Sequence, residues 1–371
     1  MMPVAAAFIQ RRPSRTRTGE GKVLANFVRL VVLVLVLVLA AASLLVAGGA
    51  PGHAATVLKY SNWLPVGNVM REKVVEPWIA EVAKVTNGSV KIEMLPKVIG
   101  SVPAQFDVAR DAQADITIFV NGYTPGRFDV MEVAELPFMC DNAELYAAVV
   151  NNFYRTHLAQ YGEYRGVHPL SVFVIGTGQL FNNKRPIRAL ADIKGLKLRS
   201  PQPGVTQSLN LLGAVPVSKP ASELYELLSS GVIDGTLLVP ESVGSFKLID
   251  SLPYATIVPG ALYNTILTLG INEDKWAALS RENQDAITRI SDDLFARAVG
   301  RAYLDGDRVT WEAMRKGGKS IETASPELVA EVRQALKPVE TAWIEKARKR
   351  GVADPQKLID DLRADIAAAS K

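Results

Sequence analysis

Two stretches of the chain share one pattern of apolar and polar positions. Residues 103–120 and residues 220–239 each open with Pro-Ala, continue with helical spacing and end in an apolar run that contains Asp-x-Thr. The two aspartates, Asp115 and Asp234, lie 119 residues apart, and turn-forming residues follow each run. A short helix that leads into a buried strand, used twice, predicts two similar α/β lobes.

The repeated pattern also indicates where a ligand would bind. In open α/β sheets, ligands sit beyond the carboxyl ends of the strands. Two such lobes that face each other would form a cleft between their strand ends. The pattern therefore predicts a protein that captures a ligand between two lobes.

Apolar periodicity predicts the other elements of the fold. Alternation predicts strands at 57–61 and 89–95 on either side of a helix at 69–86, which gives a β-α-β-α-β order and a mainly parallel or mixed sheet. Ser280 is expected to cap one long helix that reaches about Lys316 and spans both lobes. Further helices are predicted at 142–161, 205–212, 325–350 and 355–369, further strands at 167–175, 196–199 and 265–271, and hinges near 176–178 and 260–264.

The first 54 residues differ from the rest of the chain. Six basic residues precede a run of eighteen mostly apolar residues, 30–47, and small residues follow up to Ala54. A basic start, an apolar middle and small residues before a cut are typical of a secretory signal peptide, here with cleavage after Ala54. Because the apolar run approaches the length of a bilayer span, an uncleaved N-terminal anchor is the alternative. Either reading places the body of the protein outside the cytoplasm, in the periplasm.

Charge and cysteine content point to no macromolecular partner. The whole chain carries a net charge of +4, of which the leader contributes +5, so the body carries −1. The body has no basic stripe of the kind that binds nucleic acid, so no nucleic-acid partner is expected. The single cysteine, Cys140, cannot form an internal disulfide bond, and a body of 317 residues can bury a large core without one.

Catalytic and metal-binding motifs are missing from the sequence. The body contains two histidines, His157 and His168, and neither has a metal-ligating residue four positions further on. There is no Gly-x-Ser-x-Gly motif, no phosphate-binding loop and no dinucleotide-binding fingerprint. The sequence therefore predicts a protein that is not an enzyme and that holds no cofactor and no metal ion.

Arg199 is the strongest candidate for a ligand-binding residue. It closes the predicted strand 196–199, and the Ser-Pro dipeptide that follows turns the chain sharply. An arginine at a strand end can present a planar fork of N–H donors to a carboxylate and form two charge-assisted hydrogen bonds. The alternative is a surface arginine in a structural ion pair.

Five further side chains could line the same cleft, because they lie near other strand ends or near a hinge. They are Trp63, Asn121, Tyr123, Gln179 and Glu241. For each of them, packing or capping is the alternative to ligand contact.

Several short sequence blocks resemble one family of transport proteins. The blocks are 77–82 (PWIAEV), 122–128 (GYTPGRF), 135–138 (ELPF), 193–201 (IKGLKLRSP) and 231–235 (GVIDG). In this order they resemble the solute-binding subunits of tripartite ATP-independent periplasmic (TRAP) transporters of the DctP type. The resemblance covers the whole body, and the Gly-Leu-Lys-x-Arg-x-Pro block is its most specific part.

The resemblance implies a fold and a function. The fold is an α/β fold of two lobes, like that of periplasmic binding proteins, with mixed sheets flanked by helices, hinge strands and a long helix that spans both lobes. The function is capture of a small organic carboxylate by lobe closure and its delivery to the membrane permease subunits of the transporter. In the family, the arginine of the Gly-Leu-Lys-x-Arg block clamps a ligand carboxylate, and that position is Arg199 here.

With this fold, the chain is expected to divide into a leader and two discontinuous lobes. Residues 1–54 form the signal peptide or anchor. Residues 55–176 and 265–305 form lobe I, and residues 177–264 and 306–371 form lobe II.

One stretch departs from the pattern of the sialic-acid-binding members. Those members carry a second arginine in an Asn-Gly-Thr-Arg stretch after the first hinge, whereas residues 175–179 read Ile-Gly-Thr-Gly-Gln here. Sialic acid is therefore not the expected ligand. Some members that bind oxo acids hold the ligand through a carboxylate-bound metal ion, and Glu241 and Gln179 are the residues that could take this role.

The sequence is also compatible with two other functions. The same fold could serve a ligand sensor that reports to a membrane receptor. An enzyme that acts on organic acids outside the cytoplasm would need a nucleophile or an acid–base pair in the cleft, and the sequence offers only Glu241 and scattered hydroxyl groups for this.

Overall fold

The chain divides into two compact units, residues 1–54 and residues 55–371. A computed structural model describes residues 20–46 and 55–371, with side chains from residue 24 to 38 and from residue 55 onward. The first unit contains helix α1 (Glu20–Val46), whose side chains 24–38 are exposed. No helix among the described residues is both long enough and apolar enough to cross a membrane. The predicted cleavage position after Ala54 lies outside the described residues.

The body, residues 55–371, is built from interleaved strands and helices. Its strands are β1 (Thr56–Ser61), β2 (Val90–Met94), β3 (Ile116–Val120), β4 (Val167–Asn182), β5 (Lys197–Ser200), β6 (Val215–Ser218), β7 (Gly235–Leu238), β8 (Tyr254–Ile257), β9 (Tyr263–Asn272) and β10 (Ser320–Thr323). Its α-helices are α2 (Glu76–Val85), α3 (Gln105–Arg110), α4 (Ala143–Phe153), α5 (Pro203–Leu211), α6 (Leu224–Ser229), α7 (Pro240–Ser245), α8 (Glu273–Ala277), α9 (Arg281–Ile290), α10 (Asp292–Lys316), α11 (Pro326–Lys349) and α12 (Pro355–Ala369).

The two halves of the sheet repeat one arrangement of strands. The strand order is β2-β1-β3-β9-β4-β7-β5-β6, with β8 beside β4 and β10 beside β8. Strand β1 is parallel to β2 and β3, and β5 is parallel to β6 and β7. Strand β3 is antiparallel to β9, just as β7 is antiparallel to β4. This repetition confirms the two α/β lobes with mixed sheets.

The aspartates of the repeated motif have the same local role in both halves. The carboxylate of Asp115, just before β3, accepts a hydrogen bond from the Lys59 N–H in β1 (2.7 Å), and the Asp115 N–H donates to the Lys59 carbonyl (2.9 Å). Asp234, just before β7, pairs in the same way with Lys197 in β5, at 2.9 and 2.7 Å. Each aspartate therefore fixes the start of its strand beside the parallel neighbour.

The halves of the sheet are joined by the long strands β4 and β9. The first part of β4 pairs with β9, and its last four residues pair with β7. The pairing of β4 with β9 shifts register around Gly176, whose φ of 123° favours glycine. At Gly178, a Cβ atom would come within 1.9 Å of the ring of Tyr263. The backbone thus bends and packs closely where the sequence predicts a hinge.

Helix α10 packs against both halves of the body, as the predicted lobe-spanning helix should. It contacts α4 on one side and α7 and β10 on the other. The prediction of one unbroken helix over 280–316 is wrong, because the chain breaks at Ser291 and Asp292 into α9 and α10. Trp78 donates to the Ser291 hydroxyl (3.0 Å), and Ser171 donates to the Asp292 carbonyl (2.8 Å). These partners are distant in sequence, so helical periodicity alone did not reveal the break.

The shortest strands and the tail add details that the sequence pattern lacks. Strands β6, β8 and β10 were not predicted, because four residues are too few to display alternation. Strands β5 and β7 are equally short but were predicted from the turn after one and the repeated motif around the other. Helix α11 packs against α5, and α12 packs against α4. The predicted lobe boundaries stay a prediction.

Candidate functional site

Arg199 lies inside the second half of the sheet, in β5 between β6 and β7. Its side chain is only 1% exposed. The guanidinium donates from Nε to the Lys219 carbonyl (2.7 Å), from Nη1 to the Leu237 carbonyl (3.4 Å) and from Nη2 to the Tyr123 hydroxyl (3.0 Å). The parallel neighbours on both sides of β5 and the bend that begins at Pro201 position this residue.

The three partners of Arg199 are all neutral. No carboxylate among the described residues forms an ion pair with its guanidinium. A buried charge without a counter-charge destabilises a protein by about 3–5 kcal/mol. Because arginine has five N–H donors and three are in use here, one N–H on each terminal nitrogen remains for a carboxylate. The number of remaining donors thus permits bidentate binding of an anion.

A small cavity of about 40 Å³ lies against the guanidinium, and both halves of the body contribute to its wall. Most of the wall is apolar. Its aromatic side chains are Trp63, Tyr123, Phe246, Tyr263 and Tyr303, and its uncharged polar ones include Asn68, Ser242 and Thr265. One buried cation therefore faces an aromatic pocket, a setting that strengthens its attraction for an anion.

Three of the six predicted site residues, Trp63, Tyr123 and Arg199, line this cavity. The Trp63 indole N–H donates to the Ile118 carbonyl (2.7 Å), which fixes the ring. The Tyr123 hydroxyl accepts from Arg199 and from the Ala221 N–H (2.9 Å). Tyr123 therefore links the loop after β3, in the first half of the body, to two elements of the second half.

Asn121 and Gln179 do not line the cavity, because their side chains are held elsewhere. The Asn121 amide donates to the Tyr164 hydroxyl (2.6 Å) and accepts from the Thr268 hydroxyl (3.0 Å). The Gln179 carbonyl oxygen accepts from the Val258 N–H (2.7 Å). Both side chains thus make structural hydrogen bonds, which is the alternative that the sequence left open.

Glu241 is buried beside the cavity but is not part of its wall. Its carboxylate accepts from the Asn68 amide (3.2 Å), the Val69 N–H (3.2 Å) and the Ser242 hydroxyl (3.1 Å). Burial raises the pKa of Glu241 to about 7, although the Val69 and Ser242 donors oppose this. Asp307 of α10 accepts from the Glu241 N–H (2.7 Å), and burial raises its pKa to about 8.

Sequence reasoning missed several residues of the wall. Tyr263 lies in the predicted hinge and Ser242 in the turn after the second copy of the repeat, so their positions in the sequence could have indicated that they lie near the cavity. Tyr303 comes from α10 and had no signal beyond the apolar face of that helix. Burial raises the pKa of Tyr263 and of Tyr303, so both phenols stay protonated and can donate hydrogen bonds at neutral pH.

Glu241 and Gln179 could bind a metal ion that bridges the protein and its ligand, but such a site would need further metal-ligating side chains. Among the residues that the structure describes, no three His, Cys, Asp or Glu side chains come together as a metal site. The two candidate residues also hydrogen-bond to different partners.

A two-lobed α/β body that encloses a buried arginine and an aromatic cavity between its halves defines the class of ligand-capturing binding proteins. The sequence pattern of the bacterial extracellular solute-binding proteins, family 7 (DctP), matches residues 60–346, and the chain belongs to this family. A relative from Comamonas testosteroni, the outer membrane transporter protein TsaT, is 31% identical over 306 residues, which cover 81% of this chain and 89% of that protein.

Two solved structures have the same fold and more than a quarter of their residues in common with this chain. One is a TRAP periplasmic solute-binding protein from Bordetella bronchiseptica with bound (R)- and (S)-mandelate. It is 33% identical to this chain with a TM-score of 0.81, and the match covers 84% of this chain and 99% of that protein. The other is a TRAP solute-binding protein from Rhodoferax ferrireducens with copurified benzoate. It is 30% identical with a TM-score of 0.80, and the match covers 85% of this chain and 99% of that protein. These similarities confirm the two-lobed fold and the resemblance to TRAP solute-binding proteins.

Proposed function

We propose that this solute-binding protein captures a small aromatic monocarboxylate by closing its two lobes and delivers it, in the periplasm, to the membrane permease subunits of a TRAP transporter. The observation that carries the proposal is the buried guanidinium of Arg199. It has no counter-charge among the residues that the structure describes, and it is the one charged side chain among those that line the cavity.

The composition of the cavity favours one carboxylate on an apolar ring. A second carboxylate would be buried without a partner, which is costly. Most of the wall is apolar, and each hydroxyl of a sugar acid that finds no partner there would cost about 1–3 kcal/mol. The mandelate and benzoate of the two solved relatives support the same ligand class.

The size of the cavity supports a mechanism of opening and closure. In the conformation described, a volume of about 40 Å³ is smaller than an aromatic acid, so the walls of the cavity have to move apart both for the ligand to enter and for the bound ligand to fit. Bending near Gly176, where β4 shifts register, would separate Tyr123 from Arg199 and Ala221. A ligand that touches both lobes then stabilises the closed state through contacts that the open state lacks.

Each proposed ligand contact has a defined role. Arg199 binds the carboxylate through the free N–H on each terminal nitrogen. Trp63, Tyr123 and Tyr263 enclose the ring, where aromatic contacts add about 0.5–1.5 kcal/mol beyond area burial.

Calorimetry tests this function. We expect the purified protein to bind benzoate or mandelate but not succinate or gluconate. The substitution Arg199→Ala should weaken binding at least 100-fold and leave the protein folded, because removal of a buried unpaired charge offsets part of the loss of its three hydrogen bonds. Arg297→Ala is the control, since Arg297 is half exposed and pairs with Asp293 on α10.

Two results would contradict the proposal. One is unchanged benzoate affinity in the Arg199→Ala variant. The other is a preference of the wild type for succinate or gluconate over every aromatic acid.

A further inference from the structure

Glu241 does not touch the cavity, yet it holds two side chains that do. Its carboxylate accepts hydrogen bonds from the Asn68 amide and the Ser242 hydroxyl, and both of these residues line the cavity. We propose that Glu241 is a positioning residue for ligand binding, which fixes Asn68 and Ser242 in the wall when the lobes close. This inference rests on the function proposed above.

The contacts of Glu241 also join the two halves of the body. Glu241 lies in α7, after β7, whereas Asn68 and Val69 follow β1. Both carboxylate oxygens accept from the Asn68 amide at 3.2 Å, and one of them also accepts from the Val69 N–H at 3.2 Å. We call this set of hydrogen bonds the Glu241 latch. Opening of the lobes would break it.

Asn68 is held from both ends, so the latch fixes its rotamer. Its carbonyl oxygen accepts from the N–H groups of Met70 (3.1 Å) and Arg71 (3.3 Å) and thereby caps the helical segment that begins there. Its amide is held by Glu241. A carboxylate at the start of a helix is also stabilised by the helix dipole.

Helix α10 supports Glu241 from behind through a close approach. Asp307 accepts a hydrogen bond from the Glu241 N–H (2.7 Å). At Gly306, a Cβ atom would lie 2.6 Å from Glu241 Cγ and 3.1 Å from a methyl group of Val69. A glycine inside a helix is unfavourable, so its presence here is explained by the need for Glu241 to pack directly on the helix backbone.

Charged and titratable residues near Glu241 lie on three parts of the chain. Helix α10 carries four of them, the segment after β1 carries one, and the loop after α7 carries one: Tyr303, Asp307, Arg301 and Asp305, then Lys73, then Lys247. Arg301 pairs with Glu144 (2.6 Å), and Asp305 pairs with Arg308. Asp307 accepts the Glu241 N–H, and the charge of Glu241 adds to the effect of burial in raising the pKa of Asp307.

The latch gives ligand binding a defined dependence on pH. In the closed state, burial holds the pKa of Glu241 at about 7, above the ordinary value of 4.5 to which it returns when opening exposes it to water. A group with a higher pKa in the closed state takes up a proton on closure, so closure is favoured as pH falls from about 7 towards 4.5. The protonated carboxyl can still accept from Asn68 and can donate to Ser242. Benzoate should therefore bind about tenfold more tightly at pH 6 than at pH 8.

Calorimetry with benzoate at pH 6 and pH 8 tests the role of Glu241. Glu241→Ala should weaken binding at least tenfold at pH 8. Glu241→Gln should bind within a few-fold of the wild type at pH 6 and show a smaller difference between the two pH values than the wild type does. Glu312→Gln, at an exposed position of α10, should keep the affinity and pH profile of the wild type. A wild-type affinity and pH profile in both Glu241 variants would overturn the proposal.

Hydrogen exchange tests the latch without any ligand. The Val69 N–H donates to Glu241, so its exchange should be faster in Glu241→Ala than in the wild type or in Glu312→Gln. Unchanged exchange would overturn the latch. If no aromatic acid binds the wild type, the proposed function fails while this measurement still decides on the latch. If Glu241→Ala does not fold, the pH profile and Val69 exchange of Glu241→Gln decide.

Discussion

At the scale of single residues, the site is built around a charge that no carboxylate of residues 55–371 neutralises. Arg199 is buried among two carbonyl groups and one hydroxyl group, and the hydroxyl belongs to Tyr123 in the first half of the body. Tyr123 also accepts from the Ala221 N–H. One phenol oxygen thus aligns the guanidinium and ties the two halves together.

Removal of that oxygen tests its contribution. Tyr123→Phe leaves the Ala221 N–H without its acceptor and one Arg199 N–H without a partner. We expect benzoate affinity to fall about 5- to 30-fold in calorimetry, which corresponds to about 1–2 kcal/mol for such hydrogen bonds. Tyr225→Phe is the matched control, because Tyr225 is 58% exposed. Equal affinities in the two variants would contradict the role given to Tyr123.

The sequence could identify Arg199 because two independent signals agree on it, its place at a strand end and its place in a family-specific block. It could not identify Tyr303, which reaches the cavity from a helix 180 residues after Tyr123. A place after a strand does not by itself predict that a residue lines the cavity. Asn121 and Glu241 both follow a strand of the repeat, yet neither lines the cavity. A strand end determines the neighbourhood of a residue, whereas packing determines which side chain turns inward.

At the scale of elements, strands β4 and β9 carry the connection between the lobes. The ring of Tyr263 lies against the backbone of Gly178, so the two strands approach more closely there than any side chain would permit. This contact and the register shift around Gly176 lie at the predicted hinge.

A single methyl group tests this close approach. In Gly178→Ala, the added Cβ would overlap the Tyr263 ring, and we expect the free energy of unfolding in urea to fall by about 1–3 kcal/mol. Gly204→Ala is the control, because no atom lies within 4 Å of a Cβ at that helical position and alanine favours the helix. A stability of Gly178→Ala that matches the control would contradict the packing described here.

The elements of the repeat could be predicted because each copy is defined locally. Asp115 and Asp234 each hydrogen-bond to the adjacent parallel strand in the same way, so the similar sequences of the two stretches reflect a similar local structure. The break between α9 and α10 could not be predicted, because Trp78 and Ser171 stabilise it from distant parts of the chain.

At the scale of the whole molecule, buried carboxyl groups link stability to pH. Burial raises the pKa of Glu163 and of Glu241 to about 7 and that of Asp307 to about 8. A carboxyl whose pKa is higher in the folded state binds more protons there than in the unfolded state. The stability it contributes is therefore present at low pH and is lost as pH rises through the folded-state pKa.

Urea unfolding at two pH values measures this linkage. We expect the free energy of unfolding to be lower at pH 8 than at pH 6 by on the order of 1 kcal/mol or more. Glu163→Gln should reduce that difference, although it also alters the hydrogen bonds from the N–H groups of Val130 (2.8 Å) and Met131 (3.0 Å). A stability that rises between pH 6 and pH 8 would contradict the raised pKa values.

The central claim is that the two lobes close on a carboxylate bound by Arg199, and a crystal structure of the protein with benzoate tests it most directly. We expect both carboxylate oxygens within hydrogen-bond distance of the terminal nitrogens of Arg199, with the ring enclosed by Trp63, Tyr123 and Tyr263. A benzoate molecule bound with its carboxylate away from Arg199, or at a site formed by one lobe alone, would contradict the account.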